Sequence, residues 1–367
     1  MGGLELHNPF STLSGEVLLE AAAMFLVFVV ALFLLSMLVP GRKIVLTDDE
    51  GGTRNYRLNG LALFLIVVAV AGLAQWSGWF SLANLYTHFV ALFVVANVFA
   101  LALSAWLYWG AARKPDAPAE SRWSFLMGRD LNPVLFGMDL KMFSYRPSLI
   151  GLALFNLSFA AVQYETHGEL TLAMTLYQLF TFTYLFNYFQ FEDGMIYTWD
   201  IVSERFGWNL VWGDYVLVPF FYCIAGWWLV DPVGPPLSPL AAAGIVVLFL
   251  FGFWMFRGAN QQKHDFRQTP DITIWGKPAE TLDGRLLVSG FWGIGRHLNY
   301  TGEICVYIAF ILTTGFASWI PFLLPAWLAC LLVHRAGRDE RRCRAKYGEL
   351  WERYTQRARF AMVPYIY

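Results

Sequence analysis

Charge is what this sequence has least of. Asp, Glu, Lys and Arg make up 14% of its 367 residues, against 57% hydrophobic and 18% aromatic residues, whereas roughly 25% of a soluble domain is charged. That excludes an ordinary water-soluble enzyme. The 26 Lys and Arg are matched by 27 Asp and Glu, so no basic surplus marks nucleic acid as a partner. Cysteine is equally sparse. Cys223, Cys305, Cys330 and Cys343 include no CxxC pair, and three of them lie in apolar stretches, which argues against a disulfide framework or a zinc site. The six histidines, His7, His88, His167, His264, His297 and His334, are too scattered for a metal cluster, so no metal and no oxygen chemistry on iron is expected. There is no GxGxxG either. Gly290, Gly293 and Gly295 have the wrong spacing and no βαβ pattern around them, so a bound dinucleotide would not lie in a Rossmann domain.

What is present is a series of long uncharged runs. A membrane-spanning helix needs about 20 mostly apolar residues. Ala21 to Pro40 is uncharged for 20 residues, and Leu58 to Ala112 for 55, room for two spans joined near Gly78 to Asn84. Pro147 to Tyr164, Leu170 to Phe191, the shorter Tyr215 to Val230 and Pro232 to Phe256 follow. Ile304 to Val333 holds 30 uncharged residues broken by Gly315, Pro321 and Pro325, which suits a tight helical hairpin. One such run alone would suit a buried core helix, but so many predict an all-α polytopic bundle with about nine crossings. The first run follows Glu16 and Glu20 without a basic start or a cleavage site, so it reads as a retained anchor and not as a secretory signal. No repeat, low-complexity tract or separate soluble domain is read at either end, and no nucleic-acid-binding extension before the first span.

Orientation follows from the basic residues of the loops. Residues 41–57, 113–146 and 257–300 carry sixteen Lys and Arg in all, whereas Gly78 to Asn84, Glu165 to Glu169 and Asp231 to Pro239 carry none. The N-terminus is therefore expected outside and the C-terminal tail in the cytoplasm. A division is expected between residues 1–256, with seven membrane helices and their loops, and a C-terminal half at 257–367 with the helical hairpin and the tail, both within one structural domain.

Most of the unusual polar residues fall in that last part. Arg335 to Arg359 has nine Lys or Arg against four acids, which by charge alone suits a patch on anionic membrane lipid. On a continuous helix, however, Asp339, Cys343, Tyr347, Leu350 and Tyr354 would share one face. An acid and two phenols flanked by cations look like the wall of a pocket, with Gly348 as a potential break. Lys263 and Arg267, spaced i, i+4, add cations able to hold a phosphorylated ligand from the cytoplasmic side. A second stripe, Tyr177, Thr181, Tyr184, Tyr188 and Glu192, leads to Asp193 and Asp200. Ionisable groups at membrane depth usually face a cavity or a partner, although an aromatic belt ending in a solvated acidic loop would give the same pattern.

Two stretches, LLVSGFWGIGRHLNYTGE (Leu286 to Glu303) and HRAGRDERRCRAKYGELWERY (His334 to Tyr354), closely resemble signatures of the membrane sterol reductases, a family that includes Δ14- and Δ7-sterol reductases and the lamin B receptor. The resemblance extends through GRDLNP (128–133), RPSLIGLALFNLSFA (146–160), WDIVSERFGWNLVWGD (199–214), QQKHDFR (261–267) and the closing PYIY. It departs at Glu303, where Asp is usual, and in RARFAMVPYIY near the end.

The resemblance implies a bundle of about ten membrane segments, within the length each span requires, and NADPH-dependent reduction of a sterol carbon-carbon double bond. Carried over residue by residue, the cofactor positions are Lys263, Arg267, Leu287, Trp292, Asn299, Tyr300, Asp339, Cys343, Arg344, Ala345, Lys346, Tyr347 and Tyr354. Because an isolated alkene is electron-rich, protonation must precede hydride addition, in a cavity that keeps water out. Tyr184, Glu192, Tyr300 and Asp339 are the candidate catalytic residues, as proton donors or as stabilisers of the cation. The acidic pair Glu192 and Asp193 and the PYIY end lean towards Δ14 reduction, which is the expected reaction, whereas WGKP (275–278) and FWG (291–293) lean towards Δ7, the alternative. The RHxxYxGE and YGxxWxxY patterns also resemble isoprenylcysteine carboxyl methyltransferases, which leave the matches at 146–160 and 199–214 unexplained. A non-catalytic sterol-binding membrane protein is the third reading. The expected setting is a bacterial inner membrane or an endoplasmic reticulum membrane, with sterol and membrane lipid as partners and no oligomer implied.

Overall fold

The computed structural model describes residues 13–47, 53–113, 120–231, 233–269 and 271–366. The long uncharged runs form helices, since a backbone in hydrocarbon can satisfy its own polar groups only internally. The principal helices are α1 (Gly15–Leu38), α2 (Gly60–Ser77), α3 (Phe89–Ala112), α4 (Leu140–His167), α5 (Leu172–Gln190), α6 (Trp208–Val230), α7 (Pro239–Gln268), α8 (Leu298–Leu312), α9 (Leu323–Tyr347) and α10 (Glu349–Arg357). Among the described residues, seven segments are long and apolar enough to cross a membrane: α1 to α4, α6, α7 and Ile320–Tyr347, which contains α9. The sequence had suggested nine to ten. Two expected spans are shorter or more polar than these for physical reasons. α5 has 19 residues, but Thr175, Gln178, Thr181, Thr183 and Asn187 dilute its hydropathy, and α8 has only 15 residues.

The described residues form two compact units. The first comprises residues 13–170 with 181–231, and the second residues 171–180 with 233–366.

In the first unit, a hairpin of β1 (Arg42–Thr47) and β2 (Thr53–Leu58) follows α1, paired antiparallel from Arg42 opposite Leu58 to Thr47 opposite Thr53. The carbonyls at the end of α1 lack intrahelical partners, as at every helix terminus. Here Asn59 Nδ2 donates to Ser36 O (3.1 Å) and Val39 O (2.8 Å), and Arg57 donates to Met37 O. The turn out of β2 therefore caps α1. Asp139 caps the start of α4, accepting from the Met142 N–H at 2.8 Å. Within α6 the backbone is π-helical from Gly213 to Phe221. Phe89, Phe155, Phe159, Phe220 and Trp227 interlock with ring centroids 4.4 to 6.5 Å apart, a geometry that adds to the burial of the rings.

In the second unit α7 and α8 approach closely at two glycines. A Cβ on Gly302 would collide with the Phe256 backbone, and one on Gly252 would lie 2.7 Å from Cys305 Cβ. Small residues that let helix backbones approach are a main source of packing between membrane helices. Residues 313–322, with Gly315 at φ +68° and a short 3-10 turn at Ile320–Phe322, join α8 to α9. The continuous helical face expected through Gly348 is broken. Gly348 takes φ +55°, α9 stops at Tyr347, and α10 starts in a new direction.

Gly302→Leu should lower the stability of the detergent-solubilised protein by about 1–3 kcal/mol, read as an earlier loss of the monodisperse peak on heating. Gly244→Leu, in the same helix as Gly252 but with open space beside its Cα, should change little. Equal melting of both variants would show that the glycine contact does not hold the pair together.

Candidate functional site

The polar cluster of the second unit is built around the end of α7 and the turn at 288–297. Gly290 adopts φ +61° and lies so close to Gln262 and Ile274 that a side chain would not fit. This lets the next residues fold against α7. The Phe291 N–H donates to Gln262 Oε1 at 3.0 Å, and the Trp292 indole N–H to Ala259 O at 2.8 Å. Lys263 then places its ammonium 4.6 Å from the Trp292 ring centroid, a cation–π contact. One turn earlier, Asn260 Oδ1 accepts from Asn299 Nδ2 at 3.1 Å, while the buried Asn299 Oδ1 has no partner.

α10 closes the cluster from the other end. The Tyr354 hydroxyl donates to Trp292 O at 3.2 Å, and its ring packs with Val288, Trp351 and Ala358; Cys343 and Tyr347 lie against this group. Burial raises the Tyr354 pKa well above the ordinary phenol range, so it stays a neutral donor. Leu287 packs with Phe266, Ile274 and Trp292. Arg285 and Lys346 flank the Tyr347 ring at 5.1 and 5.4 Å.

Arg296 ties the parts together. It donates to Glu340 Oε2 at 3.1 Å and to the carbonyls of Ala358 and Arg359 at 2.8 and 3.1 Å. The backbone N–H groups of Arg296 and His297 donate to Phe360 O and Ala361 O, and Thr301 Oγ1 to Met362 O. Glu340 also accepts from the Trp351 indole at 3.1 Å. Residues 358–362 thus form a strap across the start of α8.

His297 lies under that strap, stacked on Tyr300 at 5.1 Å with the rings nearly parallel. Its Nε2 is buried without a hydrogen-bond partner, 4.0 Å from Asp339 Oδ2. Burial pushes its pKa down to about 4, against the attraction of Asp339 and reinforced by Lys263 and Arg296. The ring is neutral at pH 7.

Of the residues singled out from sequence, this unit brings together Lys263, Leu287, Trp292, Asn299, Tyr300, Asp339, Cys343, Tyr347 and Tyr354. Arg267, Arg344, Ala345 and Lys346 lie exposed at its margin, with Arg344 Nε 3.1 Å from Glu352. Tyr184 and Glu192 belong to the first unit. Tyr184 is buried with its ring 6.1 Å from Tyr188. Glu192 lies beyond the end of α5, in a separate turn. It accepts from the Gly60 N–H at 2.8 Å and pairs with Arg146 at 3.4 Å. Burial raises its pKa, with Arg146 and the Gly60 N–H opposing. Sequence reasoning counted Arg296 only among the loop cations able to hold a phosphorylated ligand, and passed over His297, Asn260, Gln262 and Glu340 as members of the site. The adjacent Arg and His of GRHLNY were the available signal, but their partners lie far away in the chain.

The residues present fit a phosphorylated dinucleotide: cations at one side, aromatic faces at Trp292 and Tyr347, and two buried polar atoms, His297 Nε2 and Asn299 Oδ1, without a hydrogen-bond partner in the cluster. For stability the sign of the His297 shift matters. The unfolded imidazole takes up its proton near 6.5 and the folded one only near 4, so the unfolded state binds more protons between those values and stability falls as pH drops through that window. Thermal melts in detergent between pH 7.5 and 4.5 should therefore show a steeper loss for wild type than for His297→Gln; parallel losses would contradict the buried neutral ring.

A model of the ergosterol biosynthesis ERG4/ERG24 family matches residues 6–367. A Delta(14)-sterol reductase of Methylotuvimicrobium alcaliphilum is 40% identical over 326 residues, 87% of this chain and 76% of the relative. One of Arabidopsis thaliana is 36% identical over 359 residues, 95% of this chain and 96% of the relative. A 7-dehydrocholesterol reductase of Danio rerio is 35% identical over 340 residues, 86% and 71% respectively. With a match of this length, the chain belongs to the ergosterol biosynthesis ERG4/ERG24 family, the membrane sterol reductases that its motifs resemble.

Proposed function

We propose that this protein reduces the Δ14 double bond of a sterol with NADPH. The observation that carries the reading is the cluster of Lys263, Trp292, Asn299 and Tyr354, with Asp339 beside a buried His297 whose Nε2 has no hydrogen-bond partner, in a chain of the sterol reductase family. The Methylotuvimicrobium and Arabidopsis relatives, both Delta(14)-sterol reductases by name, favour Δ14, and the Danio relative keeps Δ7 as the second reading. The methyltransferase alternative drew on two short terminal motifs, whereas the family match runs from residue 6 to 367.

In this reading Lys263 and Arg267, with Arg344 and Lys346, hold the phosphates, charge against charge. Trp292, Tyr347 and Tyr354 supply faces and a hydroxyl, Leu287, Cys343 and Ala345 the wall, and Asn299 and Asp339 polar contacts. Bound NADPH supplies the hydride. The chain's own task is to deliver a proton first and to keep water from the cation that results. Tyr300, Asp339 and Tyr184 are the candidate donors. Glu192, with both oxygens engaged by Gly60 and Arg146, serves better as a fixed negative charge than as the acid. We also place α5 and α8 across the membrane, giving nine crossings with the C-terminal tail cytoplasmic.

Purified protein, NADPH and either a Δ8,14-diene or a Δ5,7-diene sterol should give a Δ14-reduced product, identified by mass spectrometry, and little change in the second. Lys263→Ala should raise the KM for NADPH roughly tenfold or more, the order of a lost charge-assisted contact, with a smaller fall in kcat. Reduction of the Δ5,7-diene alone would move the assignment to Δ7, and an unchanged KM would remove Lys263 from the site.

A further inference from the structure

The hairpin of β1 and β2 has one face turned into the first unit and one turned away from it. Ile44 and Tyr56 pack inward with Met142 and Ile196, so by alternation Lys43, Val45, Asn55 and Arg57 stand on the other face. There Lys43 is directly opposite Arg57, and Val45 opposite Asn55. Like charges in that position oppose strand pairing. The neighbouring acids already have cations of their own. Asp193 is matched by Arg42 at 2.8 Å, Glu192 by Arg146 at 3.4 Å, and Asp139 by the nearby Lys141 and Arg54. Among the described residues, no carboxylate pairs with Lys43 or Arg57.

The two cations sit at the end of a membrane span. Arg57 donates to Met37 O in the last turn of α1, which fixes its guanidinium where the span leaves the hydrocarbon and the lipid headgroups begin. Beside it opens a cavity of about 130 Å³ with Met37, Asn55, Arg57, Phe136 and Phe143 in its wall. One turn deeper, about 6 Å along α1, Phe33 meets Phe136 edge-on at 6.5 Å. Leu34 and Leu38 of α1 are exposed at the same level. Cations at the helix end and apolar surface one turn further in follow the order of a phospholipid, with its phosphate outermost and its acyl chains below.

The turn at Phe136 points the same way. Phe136 is 77% exposed with φ +49°, followed by Gly137 at φ +78°. Asn or Asp normally precedes Gly in such a turn, and the left-handed conformation is strained for an aromatic residue. A ring turned outward against both preferences becomes favourable once acyl chains cover it. A soluble phosphate compound would use the cations but leave Phe136 and Leu38 bare. A zwitterionic headgroup would bring its own ammonium against Lys43. An anionic phospholipid meets both the charge and the apolar surface.

We propose that this face of the hairpin is a binding site for an anionic phospholipid, its phosphate held by Lys43, Arg57 and Asn55 and an acyl chain lying against Met37 and Phe136. Native mass spectrometry of the full chain released from detergent, titrated with dioleoylphosphatidylglycerol or with dioleoylphosphatidylcholine, tests it. The two lipids share their acyl chains and differ in net charge. Wild type should retain the first phosphatidylglycerol in preference to phosphatidylcholine. Lys43→Gln should weaken that binding about fivefold, the share of one cation at an anionic membrane surface. Lys277→Gln, which removes an equal charge from an exposed position of the second unit, should leave it unchanged. Lys43→Gln should fold, because the side chain is exposed and Arg57 stays in place to cap α1. Phe136→Asn, with a residue that such a turn prefers, should weaken lipid binding without earlier melting. None of these readouts uses sterol turnover, so the result stands apart from the reductase assignment. Displacement of the lipid by excess glycerol 3-phosphate would make a soluble phosphate compound the occupant and overturn the lipid assignment. Equal retention of the two lipids, or equal weakening by Lys43→Gln and Lys277→Gln, would show diffuse attraction only and would also overturn it.

Discussion

The second unit depends on the Arg296 guanidinium. One planar cation joins Glu340 of α9 to the Ala358 and Arg359 carbonyls of the closing strap, and Glu340 carries the connection onward to the Trp351 indole in α10. A guanidinium suits this work because its fixed fork of donors satisfies several acceptors in one geometry and never loses its charge. Without it, Glu340 and two carbonyls would lose a donor in a largely dehydrated place, a heavier cost than the net worth of each bond. The turn that carries Trp292, His297 and Tyr300 is held between α7 and that strap, so the polar groups stay preorganised.

The first unit repeats the logic with different residues. The end of α1 is capped by Asn59 and Arg57, the start of α2 by Glu192 and the start of α4 by Asp139. Each of these caps is a side chain distant from, or just outside, the helix that it serves, and those from Asn59, Glu192 and Asp139 are buried, where a helix terminus needs a protein partner in place of water. The buried Arg146–Glu192 pair belongs to this pattern. Such a pair adds little stability in itself, but removing one partner would leave a buried charge alone.

Much of the fold was legible in the sequence because long uncharged runs have one structural outcome. The polar stripe of α5 shows the limit: its residues are helical as expected, yet Gln178, Thr181 and Asn187 keep its hydropathy below that of the other spans. The stripe from Asp339 to Tyr354 was read as one helix face. Gly348 breaks that helix, yet Cys343, Tyr347 and Tyr354 still pack into one cluster because Trp351 and Val288 fill the angle between α9 and α10. Periodicity reaches only as far as the helix, and tertiary packing decides the rest. The pairings of Arg296 with Glu340 and Asn260 with Asn299 span 44 and 39 residues, a distance over which a single sequence holds no pairing signal.

The central claim is that the chain first supplies a proton and that a sterol alkene is then reduced. The most direct measurement runs the reaction once in deuterated water and once with NADPH deuterated at its transferable position, and locates the label by mass spectrometry and NMR. The account predicts solvent deuterium at one carbon of the former double bond and cofactor deuterium at its neighbour. Both labels arriving from NADPH, or no reduced sterol at all, would contradict it.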